Sequence, residues 1–414
     1  RLICPAPADM YAADLHVHSR FAFNTSKSLD LAELSRWARL KGIDLLSTGD
    51  FTHPAWLTEI SGELTPLGNG LYECGGVRFV LGTEVSLVCR LGGRSRRVHL
   101  LVFAPSLEAA ARASAGLSAY GRMDADGRPT LRISPRDLCH RLYDIDPRCF
   151  VIAAHLWTPW FGAYGQRSGF DSLEECFGDA TPLVPAVETG LSADPAMAWG
   201  VPSLDDVALV SFSDAHSAPN LGRELTVLLG ELSYEGLLDS LRGRRIALTI
   251  EYHPAEGKYH HTGHRKCGYR TAYADDPGAL CPVCGRKLTV GVLQRVEELT
   301  GRSVRTWTDE SGLTHGDTGR PPFRHLVGLR GVVSEALGVG PNSARVLAQY
   351  LRLVEEFGGE LAVLLDAALG EVAEVGNERI AEGVGRVRSG RKLAIEPGYD
   401  GVYGSVRVWP EQEV

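Results

Sequence analysis

Short, almost continuous apolar runs alternate with segments of helical spacing over residues 11–253. The apolar runs cover residues 12–17, 43–47, 79–82, 98–103, 150–154, 183–187, 208–212 and 246–250. Between the first two runs, residues 30–41 place Leu31, Leu34, Trp37 and Ala38 at helical spacing. Strands that are apolar on both faces and alternate with helices are typical of parallel α/β proteins. Seven or eight such units favour an α/β barrel over an open sheet.

The pattern changes after residue 256. Residues 257–300 are rich in Gly, His, Cys and basic side chains, and residues 309–322 are polar with Gly and Pro, which predicts a linker. Helical spacing returns over residues 323–392, and residues 394–409 predict two strands around a turn at Asp400 and Gly401. We therefore predict a barrel over 1–254, a small module over 255–308, and a mainly helical domain with C-terminal strands over 320–414.

Composition and charge narrow the class of protein. The 414 residues carry 43 basic and 51 acidic side chains, a net charge of −8, which excludes a wholly cationic surface but allows a local basic groove. Residues 258–305 hold nine Lys or Arg against four Asp or Glu, a local charge of +5. No apolar run approaches the length of a membrane-spanning helix, and no signal-peptide pattern opens the chain. We therefore expect a cytoplasmic protein without a membrane partner.

The nine cysteines fall into two classes. Six stand singly and argue against a disulfide framework: Cys4, Cys74, Cys89, Cys139, Cys149 and Cys176. The others form two knuckles, His264-x-x-Cys267-Gly and Cys281-x-x-Cys284-Gly, and a two-residue spacer lets both ligands of a knuckle face one ion. This spacing predicts one structural Cys3His zinc site. His264 is favoured by its spacing, and His260 and His261 are the alternatives.

Metal-ligand side chains recur at the ends of the apolar runs. They are Asp14, His16 and His18 at the first run, Asp50 and His53 after the second, Glu84 after the third, His99 in the fourth, His155 at the end of the fifth, and Asp214 and His216 at the end of the seventh. A single histidine in a strand is more often a hydrogen-bonded core residue. Because strand ends of a parallel barrel meet at one face, this series instead predicts a multinuclear site for Zn, Mn or Mg.

The opening Asp-x-His-x-His-Ser and the later Asp-Ala-His resemble the PHP (polymerase and histidinol phosphatase) family of phosphoesterases. The resemblance implies a distorted (β/α)7 barrel with two or three divalent ions. One ion would take His16, His18, Glu84 and Asp214, which we predict as the catalytic residues, and a second would share Glu84 with His99 and His155. A third would take His216 and Asp50, which stands where the family usually has His, and His53 or Asn24 are alternative ligands.

Residues that indicate nucleic-acid binding lie apart from the predicted metal ligands in the sequence. The stretch from Leu337 to Ala344 resembles the hairpin of a helix-hairpin-helix, in which Gly338 and Gly340 let backbone N–H groups approach a phosphate. Arg386 and Arg388 follow a weaker second instance, although a capped helix with a solvated basic face explains them nearly as well. Trp157 and Trp160 follow His155 and are predicted to stack on a base or wedge the duplex; the alternative is packing at the barrel rim.

The whole arrangement, ending in Ile-Glu-Pro-Gly-Tyr-Asp-Gly-Val-Tyr-Gly, resembles the endonuclease Q family. That resemblance implies a metal-dependent DNA repair endonuclease that nicks 5′ of uracil, hypoxanthine, xanthine or abasic sites. The alternatives are a small-molecule phosphomonoesterase of the histidinol-phosphatase type and a non-catalytic DNA-binding scaffold. A small-molecule phosphatase needs only the barrel, so it would not explain the basic module and the helical C-terminal region. The nearly complete set of metal ligands argues against a non-catalytic scaffold. The sequence leaves open whether the protein binds a processivity partner such as a sliding clamp.

Overall fold

The computed structural model describes residues 9–274 and 278–410, so Cys4 lies outside the described residues. Twelve strands are described in the predicted barrel region: β1 Met10–Asp14, β2 Leu45–Ser47, β3 Thr65–Pro66, β4 Tyr72–Cys74, β5 Val77–Leu91, β6 Arg94–Ala104, β7 Thr130–Leu131, β8 Phe150–Ala153, β9 Ala186–Glu188, β10 Ala208–Val210, β11 Leu225–Leu229 and β12 Ile246–Glu251. The helices between them are α1 Leu31–Lys41, α2 Pro54–Glu63, α3 Leu107–Leu117, α4 Pro135–Ile145, α5 Leu173–Phe177, α6 Pro195–Trp199 and α7 Tyr234–Arg242.

Seven of these strands form the barrel wall in the order β1, β2, β5, β6, β8, β9 and β10. The wall closes where the segments after β1 and β10 meet: Val17 and Ala215 form a parallel bridge, and the His18 N–H donates to the Ala215 carbonyl at 3.1 Å. The predicted distorted α/β barrel is therefore confirmed. Its closure places the residues that follow β1 beside those that follow β10.

Two strands differ from the predicted parallel wall. β6 runs antiparallel to both β5 and β8, because a two-residue turn at Gly92 and Gly93 returns the chain directly. Glu84 consequently lies inside the long strand β5 and not after it. β11, which the hydrophobic pattern did not predict, pairs antiparallel with β1 and with β12, so β12 lies outside the barrel wall.

The segment predicted as a linker, residues 309–322, contains one strand that pairs into the sheet. Within the predicted zinc module lie β13 Thr262–His264, β14 Tyr269–Thr271 and α8 Val292–Leu299, and they are followed by β15 Thr306–Thr308, β16 Thr314–Gly316 and β17 Phe323–His325. β17 pairs in parallel with β12, and β15 and β16 continue that sheet. The linker prediction for 309–322 did not include β16, because short polar strands at a sheet edge carry no alternating apolar pattern.

The C-terminal region is mainly helical, as predicted. Its elements are α9 Leu329–Leu337, α10 Ala344–Phe357, α11 Glu360–Leu365, α12 Leu369–Val375, α13 Glu378–Ser389, β18 Ala394–Glu396 and β19 Ser405–Arg407. β18 and β19 pair antiparallel around Asp400 and Gly401, which confirms the predicted hairpin.

The helical domain rests on the barrel through α1. This helix begins at Asp30, whose carboxylate accepts the Glu33 N–H at 2.9 Å, and it ends at Gly42 with φ +83°. Its Trp37 ring lies 6.1 Å from that of Tyr350 in α10, and the buried Lys41 ammonium pairs with Glu360 at 2.7 Å. The barrel and the helical domain thus share one apolar core.

No described helix, from residue 9 to 274 or from 278 to 410, is both long and apolar enough to cross a membrane.

Candidate active site

The barrel carries its ligand-type side chains at one end. His16 and His18 follow β1, Asp50 follows β2, His155 follows β8, and Asp214 follows β10. Asp50, His155 and Asp214 have positive φ values of 51°, 30° and 45°. Backbone strain in non-glycine residues persists only where surrounding contacts impose it, and it concentrates at functional sites. Of the eight non-glycine residues with positive φ in the described part of the chain, these three lie in this cluster.

Four of these residues form a tetrad of donor atoms. His18 Nε2 lies 3.2 Å from Glu84 Oε2 and 3.3 Å from Asp214 Oδ1, and His16 Nε2 lies 3.5 Å and 3.4 Å from the same two oxygens. Ligands about 2.0–2.1 Å from a tetrahedral zinc are about 3.3–3.4 Å apart. The two Nε2 atoms and Asp214 Oδ1 are buried and have no hydrogen-bond partner among the described residues. The tetrad therefore fits one divalent ion.

A second group adjoins the first through Glu84. Its other oxygen, Oε1, lies 2.6 Å from His99 Nδ1 and 3.2 Å from His155 Nε2, and these two nitrogens are 3.2 Å apart. One carboxylate therefore offers an oxygen to each group, which is the arrangement of a bridging ligand between two ions. The group of three leaves coordination positions for water or a phosphate oxygen.

The electrostatics of the cluster call for cations. Burial opposes a charged His16, yet the carboxylates of Glu188, Asp214 and Glu84 outweigh burial and hold the pKa of His16 well above its ordinary value. Burial also opposes an ionised Glu84, but His99, Arg128 and His16 hold its pKa well below the usual range. Burial lowers the pKa of His99 to about 4, so this imidazole is a neutral nitrogen donor near pH 7.

Glu188 and Arg128 orient the ligands. Glu188 accepts the Nδ1–H of His16 at 3.0 Å and the N–H of His155 at 2.6 Å. Arg128 places Nη1 3.1 Å from Glu84 Oε2. Carboxylates behind ligand histidines set the tautomer, so that Nε2 keeps its lone pair for the ion. Sequence reasoning missed both Glu188 and Arg128; Glu188 closes an apolar run as the predicted ligands do, whereas Arg128 lies in a loop without a pattern.

Asp50 belongs to this orienting layer, and it lies outside the donor groups of the described residues, so the geometry does not favour its prediction as a metal ligand. One of its oxygens lies 3.0 Å from His18 Nδ1, and the other accepts the Ser19 N–H at 2.6 Å and hydroxyl at 2.7 Å. Both oxygens are thus engaged. The His216 ring lies 4.5 Å from the His18 ring at a tilt of 52°, but neither His216 nor His53 belongs to a donor group among the described histidines, cysteines and acidic residues.

Asp50→Asn should lower metal affinity in the barrel by about tenfold to a hundredfold, because an amide cannot accept from His18 and from Ser19 at the same time. Isothermal titration of the metal-stripped protein measures this loss. Asp44→Asn is the control, because Asp44 is a carboxylate that accepts the Ala12 N–H at 2.9 Å, away from the site. Equal metal affinity in the Asp50 variant and the wild type would contradict the orienting role.

The predicted knuckles meet in a second, separate group. His264 Nδ1 lies 3.3 Å from Cys267 Sγ and 3.4 Å from Cys284 Sγ, and Cys281 completes the group of four. Gly268 and Gly285 follow the knuckles with φ values of 64° and 69°. The structure brings His264 to the group rather than His260 or His261. Four donors and no open position are typical of structural zinc.

The two tryptophans have different environments. Trp157 is 1% exposed and packs edge-on against Tyr164 at 5.4 Å, which fits rim packing. Trp160 is half-buried and lies edge-on to Tyr259 of the zinc module at 5.2 Å. The next residue, Phe161, stacks on the His99 ring at 4.4 Å. Trp160 and Phe161 therefore lie between the metal ligands and the zinc module.

The predicted DNA contacts of the C-terminal region also differ in their environments. Gly338 and Gly340 are exposed beside the start of α10, where the chain leaves open space around both. Arg388 donates to the carbonyls of Val363 and Leu364 at 2.8 and 2.9 Å, and Arg386 pairs with Glu382 at 2.7 Å. Because both arginines are engaged inside the domain, the geometry does not favour them as DNA contacts.

Comparison with known sequences places this site in context. The family described as the MJ0043 C-terminal domain matches residues 328–391. The uncharacterized protein YqxK of Bacillus subtilis is 30% identical over 414 aligned positions, covering 95% of this chain and 98% of that protein. The uncharacterized protein MJ0043 of Methanocaldococcus jannaschii is 32% identical over 266 positions, 62% of this chain, and this match spans only 32% of that longer relative.

Two solved structures resemble the chain over nearly its whole length. The lesion-specific endonuclease PfuEndoQ from Pyrococcus furiosus has a TM-score of 0.84 and 30% identity, covering 97% of this chain and 96% of its own. An endonuclease Q bound to a 27-mer duplex with an abasic lesion at its active site has the same TM-score and identity, covering 97% of each chain. On this evidence the chain belongs to the endonuclease Q family.

Proposed function

We propose that this protein nicks DNA at damaged nucleotides by hydrolysing a phosphodiester bond at the two adjoining donor groups. The observation that carries the proposal is Glu84, which offers one oxygen to each group. The similarity to a lesion-specific endonuclease, and to a relative bound to an abasic duplex, supports DNA as the substrate. The site opens to solvent at Asp214 and His216, whose side chains are 27% and 30% exposed.

The residues of the chain divide the chemical task. When bound, paired divalent ions polarise a phosphate and neutralise the charge that develops as the P–O bond breaks. His16, His18, Glu84 and Asp214 would hold one ion, and His99 and His155 the other. Glu188 and Asp50 keep His16 and His18 in the donor tautomer, which pre-orients the site before substrate arrives. Phe161 covers one face of His99 and excludes water from that side.

The finer proposal concerns the bases recognised and the bond cut. Deamination replaces an exocyclic amino donor with a carbonyl acceptor, which uracil and hypoxanthine share. A base inside a duplex is hidden, so selection by this feature requires the nucleotide to be extruded into a pocket. A pocket with donors at that edge accepts both bases and leaves its donors unpaired against cytosine or adenine. We infer cleavage on the 5′ side of the extruded nucleotide.

End-labelled duplexes that carry an abasic site, uracil, hypoxanthine, xanthine or no lesion test this proposal, each with Mg²⁺, Mn²⁺ or Zn²⁺. We expect one nick, mapped on a denaturing gel to the 5′ side of each lesion, with the undamaged duplex intact. p-Nitrophenyl phosphate is the control substrate. Hydrolysis of this monoester without nicking of DNA would instead support a small-molecule phosphatase, and DNA binding without any hydrolysis a scaffold.

Trp160→Ala should reduce nicking of duplex substrates several-fold with little change in melting temperature, because Trp160 is half-buried between the metal ligands and the zinc module. Trp157→Ala is the matched variant and should mainly lower the melting temperature, since it empties a fully buried site. Nicking rates on duplex and single-stranded hypoxanthine substrates, measured beside thermal melting, separate the two. Loss on duplex alone indicates a wedge, and loss on both substrates indicates stacking. Unchanged nicking with a lowered melting temperature in the Trp160 variant would instead indicate that Trp160 only packs in the core.

A further inference from the structure

The hairpin of β5 and β6 extends beyond the barrel as a two-stranded ribbon, residues 88–97. The two strands pair from Leu81 and Ala104 out to Leu91 and Arg94, and Gly92 and Gly93 form the turn with φ values of 58° and 75°. Positive φ at both central residues is the geometry of the tight turns that suit twisted hairpins. The ribbon is therefore an ordered extension of the same strands that carry Glu84 and His99.

One face of this ribbon continues the face that holds the metal ligands. Ser86 and His99 are cross-strand partners, and Ser86 Oγ lies 3.1 Å from His99 Nε2, which identifies their face as the one that meets the site. Side chains on a strand alternate between faces with a period of two. The next pair on this face is Val88 with Arg97, and the pair after it is Arg90 with Ser95.

The cations on this face are free of carboxylate partners. Arg90 and Arg97 are exposed, and neither makes an ion pair with an acidic side chain in the described part of the chain. The Arg97 guanidinium lies 5.9 Å from the centre of the Phe161 ring, and that ring stacks on His99 at 4.4 Å. Arg132, also exposed, directly follows β7, which pairs with β5 at Ser86 and Leu87. Unpaired cations thus lead outward from the metal ligands.

We propose that this face of the ribbon binds the phosphate backbone of the DNA substrate as it leaves the active site. Arg90 lies four residues beyond Ser86, about 13 Å at the rise of a β-strand, which is about four nucleotides of duplex. An anionic strand that places one phosphate at Glu84 and His99 therefore has further phosphates within reach of Arg97 and Arg90. The inference rests on the proposed function, because it takes DNA as the substrate.

The opposite face of the ribbon supplies a matched control. Arg94 is the cross-strand partner of Leu91, one residue along from the Arg90 pair, so it lies on the other face of the same hairpin. It is exposed and likewise has no carboxylate partner within the described residues. Arg97→Gln, Arg90→Gln and Arg94→Gln therefore remove the same charge from one ribbon, and Arg94 differs from the other two in the face that it occupies.

Affinity for an undamaged duplex, measured by fluorescence anisotropy without divalent ions and over a range of salt concentrations, tests the proposal independently of cleavage. We expect Arg97→Gln and Arg90→Gln each to weaken binding about threefold to tenfold and to reduce the salt slope by about one, with Arg94→Gln close to wild type. Equal losses of affinity in all three variants, or no loss in Arg97→Gln and Arg90→Gln, would overturn the ribbon assignment. Nicking by the wild-type protein would still uphold the proposed function in that case. A wild-type protein that neither binds nor nicks DNA would overturn both.

Discussion

Glu84→Gln should lower the rate of nicking at an abasic site by at least about a thousandfold while duplex binding survives. The substitution keeps the size of the side chain and removes the charge that both donor groups share. His99, Arg128 and His16 hold the pKa of Glu84 well below its usual range against burial, so the wild-type group is a carboxylate. Each tenfold in rate corresponds to about 1.4 kcal/mol of barrier, and losing a bridging ligand costs several kcal/mol. Single-turnover nicking measures the effect.

Glu224→Gln is the matched control in the same barrel. Glu224 is also fully buried, but burial together with Glu251 and Glu188 raises its pKa well above the ordinary value, which favours the neutral acid. Glutamine replaces that neutral acid and can still accept the Tyr252 N–H, which Glu224 accepts at 3.3 Å. We expect nicking within about threefold of wild type. Comparable losses in the two variants would mean that burial, rather than ion binding, makes Glu84 essential.

Cys281→Ser should remove zinc from the module and unfold residues 257–300, because a structural zinc ion supplies the free energy that folds a small module. Duplex affinity and nicking should fall together. Arg295 in this module donates to the carbonyls of Tyr164 and Phe170 at 3.0 Å each, so its loss frees the segment that carries Phe161. Zinc content, limited proteolysis and duplex affinity of the purified variant measure these effects.

Cys139→Ser controls for the cost of burying a hydroxyl. Cys139 is 3% exposed and Cys281 is 1% exposed, so the two substitutions place serine in comparably buried positions. Only Cys281 belongs to the donor group of four. The control variant should keep one zinc per module and wild-type duplex affinity. Stoichiometric zinc and an intact module in Cys281→Ser would refute the assignment of this cysteine as a ligand.

The metal-ligand types at strand ends were predictable from the sequence because the physical rule is local. An apolar run followed by His, Asp or Glu places that side chain at the barrel rim wherever the strand lies in the wall. His16, His155 and Asp214 follow this rule. Asp50 obeys the same pattern but turns its oxygens toward His18 and Ser19, because which donor faces the ion depends on packing between strands.

Features that depend on strand order were not predictable in this way. The antiparallel direction of β6 follows from the two-glycine turn, and it places Glu84 and His99 within strands rather than after them. The same antiparallel pairing extends the arginines of residues 88–97 outward from the site, although the sequence of this segment alone indicates only a polar hairpin. Arg386 and Arg388 show the opposite case, in which basic residues at helical spacing are engaged within the domain by Glu382 and by backbone carbonyls of α11.

The most direct measurement is a titration of the metal-stripped protein with Mn²⁺ or Zn²⁺, in which bound ions per barrel and nicking of an abasic duplex are followed in the same samples. Zinc in the cysteine module is counted separately through the Cys281→Ser protein. We predict two ions per wild-type barrel, no nicking before they bind, and a single nick at the lesion once they do. Full nicking by a barrel without bound ions, or equal cleavage of the undamaged duplex, would contradict a two-ion site for lesion-directed hydrolysis.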